Sequence, residues 1–214
     1  PIVDGTRAAT SLEEAKDFFG SLRSGEQMII KALAGGGGRG VRIVSGWGDL
    51  EDAFNRCQSE AGASFGNPDL YVEVLLPKAR HVEVQIVGDG TGQIVQLGDR
   101  DCSIQRQQQK VLEIAPAPGL LPAPRRALAE AAITLGQACH YSNIGTFEFL
   151  VDCSHPDRFM FMEANPRLQV EHTITEAITG IDLVEVQLRL AAGETLADIG
   201  LSRDPELTGS AIQV

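Results

Sequence analysis

Apolar positions along the chain alternate between two spacings, and the changes of spacing mark out the elements. Leu12, Ala15, Phe18, Phe19 and Leu22 recur at helical intervals, and Ser11 with Glu14 supplies a capping box, so residues 11–24 are expected to form a helix. Residues 27–34 and 41–44 read as strands on either side of a glycine run, 49–62 as a helix capped by Asp49, and 70–76 as a further strand. After Pro77, strands are expected at 81–88 and 93–98 around the hairpin signal Asp89-Gly90-Thr91-Gly92. A short strand at 110–115 ends at Pro116-Ala117-Pro118-Gly119. A helix at 124–140, strands at 144–152 and 158–164, and helices at 172–178 and 181–192 follow. Strands and helices come in runs rather than in strict βαβ alternation, which predicts an α+β fold. A boundary near residue 76 is expected to separate a small lid-like unit, 1–75, from a larger base, 76–214. The chain opens without a methionine and closes on strand-like residues, Ser210 to Val214, so both ends read as cuts in a longer polypeptide.

Composition narrows the function classes. With 18 basic and 29 acidic residues the net charge is −11, which argues against non-specific binding to nucleic acid or to an anionic membrane. A phosphate ligand remains compatible, because a few local cations and backbone amides suffice for one. No apolar run of about 18 residues is present, so no membrane span is expected. No secretory signal opens the sequence. The four cysteines, Cys57, Cys102, Cys139 and Cys153, form no CxxC pair and read as small reduced core residues of a cytosol or organelle matrix.

Gly35, Gly37 and Gly40 satisfy G-x-G-x-x-G, but the β-branched Val41-Arg42-Ile43-Val44 follows where a dinucleotide site needs a helix. No Gly-Lys-Ser/Thr follows either, which excludes a Walker A loop. What remains is a strand–loop–strand flap whose backbone amides face an anion, with Lys31 on the entering strand as a point charge. A hairpin tip with a solvated lysine is the competing reading.

Glu148 and Glu163 carry the strongest signal. They lie on two strands joined by Ser154-His155-Pro156-Asp157, and a hairpin symmetric about the midpoint of 155 and 156 makes them direct cross-strand partners. Facing carboxylates repel, and a bound divalent cation turns that liability into a site. Beyond Glu163, Asn165, Arg167, Gln169 and Glu171 alternate with Ala164, Pro166, Leu168 and Val170. An extended chain would put a polar line on one face and an apolar edge packed on the other. The solvated side of an edge strand is the alternative. Arg100, Arg106 and Lys110 could meet an anion or belong to a solvated loop. His81 reads by default as an exposed edge-strand residue, whereas Glu73 sits in an apolar strand and needs a donor, such as an adenine amino group.

Several stretches closely resemble the biotin carboxylase family. They are Lys31 to Gly40, Arg80-His81-Val82-Glu83-Val84-Gln85, Arg100-Asp101-Cys102-Ser103-Ile104-Gln105-Arg106, Gly145-Thr146-Phe147-Glu148-Phe149 and Glu163-Ala164-Asn165-Pro166-Arg167-Leu168-Gln169-Val170-Glu171-His172. The resemblance implies an ATP-grasp fold with a small lid and an antiparallel-sheet base. It implies that Lys31, Gly35, Gly36, Gly37 and Gly38 hold ATP phosphates, that Glu73, Val74, Leu76 and Leu150 line the adenine side, and that His81 and Gln105 meet ribose. Glu148, Glu163 and Asn165 would ligate Mg²⁺ or Mn²⁺. Lys110, Arg167, Gln169 and Val170 would bind bicarbonate, with Glu171 as the base that deprotonates it. The implied activity is ATP-dependent carboxylation of biotin through carboxyphosphate, in a homo-oligomeric parent with a biotin carrier domain and a carboxyltransferase component.

Two departures from the family pattern stand out. Gln108 occupies a position where many members carry histidine, and the arginine that steadies the biotin enolate would fall just after Val214. The fragment alone is therefore expected to be inactive. A carbamoyl-phosphate synthase half or another carboxylate–amine ligase is the nearest alternative, and a non-catalytic nucleotide-binding module the more distant one.

Overall fold

The computed structural model describes residues 1–35 and 39–214. The chain divides into two compact units, Ile2–Pro77 with Gln107–Gln109, and Pro1 with Lys78–Arg106 and Lys110–Val214.

In the first unit the sequence pattern translates directly into packing. Helix α1 (Leu12–Ser21) starts at Ser11, whose hydroxyl accepts from the Glu14 amide while the Glu14 carboxylate accepts from the Ser11 amide at 2.7 Å. Strands β1 (Met28–Ala32), β2 (Val41–Val44) and β3 (Leu70–Val74) form an antiparallel sheet in the order β2-β1-β3. Met28, Ile30 and Ala32 point from β1 into a core shared with Leu50, Phe54, Cys57 and Ala61 of α2 (Trp47–Phe65). Helix α2 starts two residues before the expected Asp49 cap. Gly46 is its N-cap and makes no side-chain cap bond, so Asp49 serves instead as an acid in the first turn, where the helix dipole favours it.

The second unit is built on a six-stranded sheet in the order β8-β7-β4-β5-β6-β9. Its strands are β4 (Ala79–Asp89), β5 (Ile94–Arg106), β6 (Gln109–Ala115), β7 (Ser142–Asp152), β8 (Phe159–Asn165) and β9 (Ala211–Gln213). Helix α3 (Pro122–Ala138) covers one face, packing Leu128 and Ala132 on Val82, Val84, Phe147 and Phe149. On the other face Val87 and Ile144 join Leu183 and Val186 of α5 (Leu183–Ala191). Helix α4 (His172–Thr179) inserts Ile174 and Ile178 beside Ala115.

Strand β4 is consequently buried on both faces from Val82 to Gly88. Its polar alternates Glu83 and Gln85 are 0% and 1% exposed, so an alternation that looks half-solvated in sequence is here enclosed. Gly88 permits this closeness, since a Cβ there would lie 2.2 Å from the Tyr141 carbonyl oxygen.

Two expectations need correction at this level. Strand β5 does not stop near residue 98 but continues to Arg106, so the polar run that could pass for a loop is ladder, turning at Gln107 and Gln108 with φ of 51° and 62°. The cysteines are not all core residues: Cys57 and Cys102 are buried, while Cys139 and Cys153 are exposed.

Candidate active site

The site begins as a row of charges across four adjacent strands. Arg100 on β5 is the register partner of Glu83 on β4, Glu83 of Glu148 on β7, and Glu148 of Glu163 on β8. The expected pairing of Glu148 with Glu163 is therefore present. It does not extend along the whole hairpin, because the register shifts between Glu148 and Phe149, and Phe149 pairs with Phe161 instead of Met162. The irregularity leaves the acid pair in place and absorbs one residue on the turn side.

Three carboxylates in one row would repel. Lys110, entering from β6, offsets this at the two inner acids and also meets Glu171, with its ammonium at 2.6 Å from Glu83, 2.9 Å from Glu148 and 2.6 Å from Glu171. Burial disfavours the charged lysine, but these acids outweigh it and raise its pKa well above the ordinary value. Burial likewise opposes ionisation of Glu83, and Arg100 and Lys110 overcome it, holding that carboxyl well below the usual range. Arg100 is fully buried and gives its Nε to Glu83 at 2.5 Å, and its Nη1 to Gln85 at 2.9 Å and to Thr175 at 2.7 Å. Sequence spacing alone left Arg100 and Lys110 open to a solvated-loop reading, which their enclosure rules out.

His81 is also corrected. Strand β4 is interior rather than an edge, and the imidazole is only 12% exposed, with Nε2 2.5 Å from Glu148 and Nδ1 2.8 Å from the Gln105 amide. Asn165 donates its amide to Glu148 at 2.8 Å, which leaves its carbonyl oxygen as an oxygen donor. Leu150 is the register partner of His81 on β7.

The line beyond Asn165 is not one extended strand. Strand β8 ends there, Arg167 lies in a bend whose amide bonds back to the Asn165 carbonyl, and Val170 and Glu171 form a turn into α4. Gln169 and Glu171 are nonetheless buried, whereas Arg167 is exposed and donates to the Leu168 carbonyl. The expected packed apolar edge forms only at Leu168, which packs on the cluster of Ile144 and Leu183: Val170 is 79% exposed, and Ala164 and Pro166 are exposed as well. The Gln169 amide nitrogen is buried and has no hydrogen-bond partner among the described residues.

In the other unit, Lys31 and Glu73 share the sheet face opposite the helices and pair at 2.5 Å, with the ammonium 5.8 Å from the centre of the Tyr71 ring. The donor that Glu73 requires is therefore supplied by Lys31. The Val74 amide donates to the Asp4 carbonyl at 2.9 Å and Leu75 to Gln27 at 2.7 Å, so both are already used, and Leu76 is half-buried. At the glycine flap, Gly35 donates to Ala32 and Gly40 to Glu60. Gly36, Gly37 and Gly38 lie outside the described residues.

Glu148 and Glu163 are cross-strand partners with the Asn165 amide on Glu148, oxygen-bearing residues of the type a hard divalent cation takes. Glu163 is exposed, however, and the ligand atoms that converge within 4.8 Å among the described residues are those of His81, Glu83 and Glu148 and of Glu83, Cys102 and Glu171. From the sequence, Glu83 takes no role of its own and Arg100 reads only as an anion contact or a loop cation, not as the buried partner of Glu83. Their signal was a charge placed within an otherwise Val/Ile-rich strand and a cation on the strand next to it, a pattern that a solvated strand face shares.

Residues 1–199 match the family model for the carbamoyl-phosphate synthase L chain, ATP binding domain. The chain belongs to that family. Within it, the pyruvate carboxylase of Staphylococcus aureus is 48% identical over 218 residues, covering 100% of this chain and 18% of the relative. A biotin carboxylase from Campylobacter jejuni, solved in a β,γ-ATP complex, superposes with a TM-score of 0.91 at 40% identity, over 99% of this chain and 46% of that one. The biotin carboxylase domain of Hydrogenobacter thermophilus 2-oxoglutarate carboxylase, solved with MgADP, ADP and bicarbonate, gives 0.91 at 38% identity over 99% and 46%. The α+β architecture is thus the ATP-grasp fold of biotin carboxylases, and these relatives are carboxylases or biotin carboxylase domains, which favours that reading over a carbamoyl-phosphate synthase half. The chain spans less than one fifth of the curated relative's length and under half of each solved one.

Proposed function

We propose that this chain is the ATP-binding, bicarbonate-activating portion of a biotin-dependent carboxylase, whose remaining parts lie in the larger protein. The observation that carries the reading is the meeting of Lys110 with Glu171 at 2.6 Å, directly beside the Glu148–Glu163 pair. That arrangement supports an anion-binding cation and a carboxylate base held in one largely buried cluster, with the two acids of a divalent-cation site on the neighbouring strands.

In this reading Lys110 and the unpartnered Gln169 amide hold bicarbonate, with Arg167 and the Val170 amide closing on it. Glu171 takes the bicarbonate proton, and the resulting oxyanion attacks the γ-phosphorus of ATP, releasing ADP and forming carboxyphosphate. Carboxyphosphate then yields CO₂ and phosphate, and the phosphate removes the ureido proton of biotin on its carrier. Mg²⁺ or Mn²⁺, held by Glu148, Glu163 and Asn165, neutralises phosphate charge when bound. Lys31 and Gly35 to Gly38 contact the phosphates. Glu73, Val74, Leu76 and Leu150 serve the base, with Val74 acting through its carbonyl or side chain because its amide is taken. His81 and Gln105, already hydrogen-bonded to each other, meet the ribose. Positioning and charge neutralisation carry the phosphoryl transfer.

The carrier and carboxyltransferase come from elsewhere in a homo-oligomeric parent of the cytoplasm or an organelle matrix. No helix among the described residues is long and apolar enough to cross a membrane. The test is bicarbonate-dependent ATP cleavage by the carboxylase containing this chain, with free biotin as stimulant. Wild type should cleave ATP only with bicarbonate present, Glu171→Gln should lower kcat by ~10²-fold or more, and the isolated chain should be inactive. Equal cleavage with and without bicarbonate would refute the reading.

A further inference from the structure

Arg100 has an unusual set of contacts for a buried cation. Its side chain is 0% exposed, yet its Nη2 has no hydrogen-bond partner among the described residues. A buried ion pair is weak evidence for stability, since apolar side chains of the same volume commonly serve at least as well. A buried N–H without an acceptor weakens that case further. The contacts Arg100 does make lead to the two groups on which bicarbonate activation depends. Through Nε it holds Glu83 Oε1 at 2.5 Å, and Glu83 Oε2 in turn holds the Lys110 ammonium at 2.6 Å. Through Nη1 it holds the Thr175 hydroxyl at 2.7 Å, four residues along α4 from Glu171 at that helix's N-cap. The same Nη1 is steadied by Gln85 at 2.9 Å. One rigid, planar fork therefore ties the sheet that carries Lys110's anchor to the helix that carries the base.

We propose that Arg100 is a positioning residue that fixes Lys110 opposite Glu171, acting through Glu83 on one side and Thr175 on the other. Arg100 touches neither substrate. It fixes the relative placement of the two groups that meet bicarbonate, so it governs the use of bicarbonate and leaves nucleotide binding alone. This inference rests on the function proposed above.

Two variants of the carboxylase containing this chain test it. Thr175→Val keeps volume and removes the α4 acceptor for Nη1, leaving Gln85. Arg100→Lys keeps the charge and removes the fork. Kinetics of bicarbonate-dependent ATP cleavage should show KM for bicarbonate raised about 3- to 10-fold in Thr175→Val, with KM for ATP unchanged within about twofold. Arg100→Lys should lose at least about tenfold in kcat/KM for bicarbonate. The second readout needs no turnover. Acylation of Lys110 by a lysine-reactive ester, followed by peptide mass spectrometry relative to the exposed Lys78, should quicken several-fold, by about fivefold, in Arg100→Lys as the ammonium loses its fixed place.

Parallel losses in the ATP and bicarbonate constants, or Lys110 labelling that rises no more than that of Lys78, would overturn the inference. Absence of bicarbonate-dependent cleavage in wild type would instead overturn the function, and the labelling ratio would then decide the positioning role by itself. If Arg100→Lys does not fold, Thr175→Val carries both readouts.

Discussion

Lys110→Met removes one ammonium from a position where it touches Glu83, Glu148 and Glu171, each within 2.9 Å. The lysine is 19% exposed and the three acids 4% or less, so the interaction is largely shielded from solvent. Removing one partner of a buried ion pair costs ~3–5 kcal/mol, because the remaining charge is left uncompensated. Here part of that loss is offset. Arg100 still neutralises Glu83, and the Asn165 amide still donates to Glu148, which leaves Glu171 the most exposed to the loss. The lower end, about 3 kcal/mol at pH 7, is therefore expected. At ~2–4 °C per kcal/mol for a chain of this size, the melting temperature should fall by about 6–12 °C.

The sign of the pH effect follows from the chemistry. Burial opposes ionisation of Glu83 and Lys110 helps Arg100 overcome it, so the deficit left by removing Lys110 is present above the ordinary value of 4.5 and should shrink as pH falls below it. Thermal and urea unfolding of wild type and Lys110→Met at pH 7 and at pH 4 measure both quantities. A variant that melts within about 1 °C of wild type at pH 7, or a deficit as large at pH 4 as at pH 7, would refute the reasoning.

Glu83 governs a separate acid limb. Its carboxyl lies below its ordinary value of 4.5 in the folded chain, so its contribution is present above that pH and is lost as pH falls below it. Wild-type stability should decline with a slope approaching ~1.4 kcal/mol per pH unit for this one group, and Glu83→Gln should show a shallower decline in urea titrations. Cysteine chemistry gives an independent check on burial. Burial pushes the Cys57 thiol up to about 11 and Cys102 higher still, so a maleimide at pH 7 should label the exposed Cys139 and Cys153 in the native chain and reach the other two only on unfolding.

Local rules made some of this protein legible without coordinates. Ser11 and Glu14 announced the start of α1 because a capping box is a contact between residues three apart. Val41–Val44 and the hairpin acids Glu148 and Glu163 were legible for the same reason, since a short connection fixes which residues face each other. The glycine and Asx signals at 89–92 placed the β4–β5 turn.

What local rules could not supply is the third dimension of the site. A charged residue on an alternating strand has the same sequence signature whether water or a helix covers it. Only the strand order β7-β4-β5, with α4 over the polar end of one face, makes Glu83 and Arg100 buried partners and turns His81 from an apparent edge residue into an interior one. Lys110 meets Glu171 across 61 residues of sequence and Glu83 across 27, separations at which no periodicity carries information. The sequence by itself determined the elements, the short-range pairs and the kinds of chemistry available. The tertiary structure decided which charges are buried together, because mutual burial of distant groups is a property of the folded sheet and not of any segment of it.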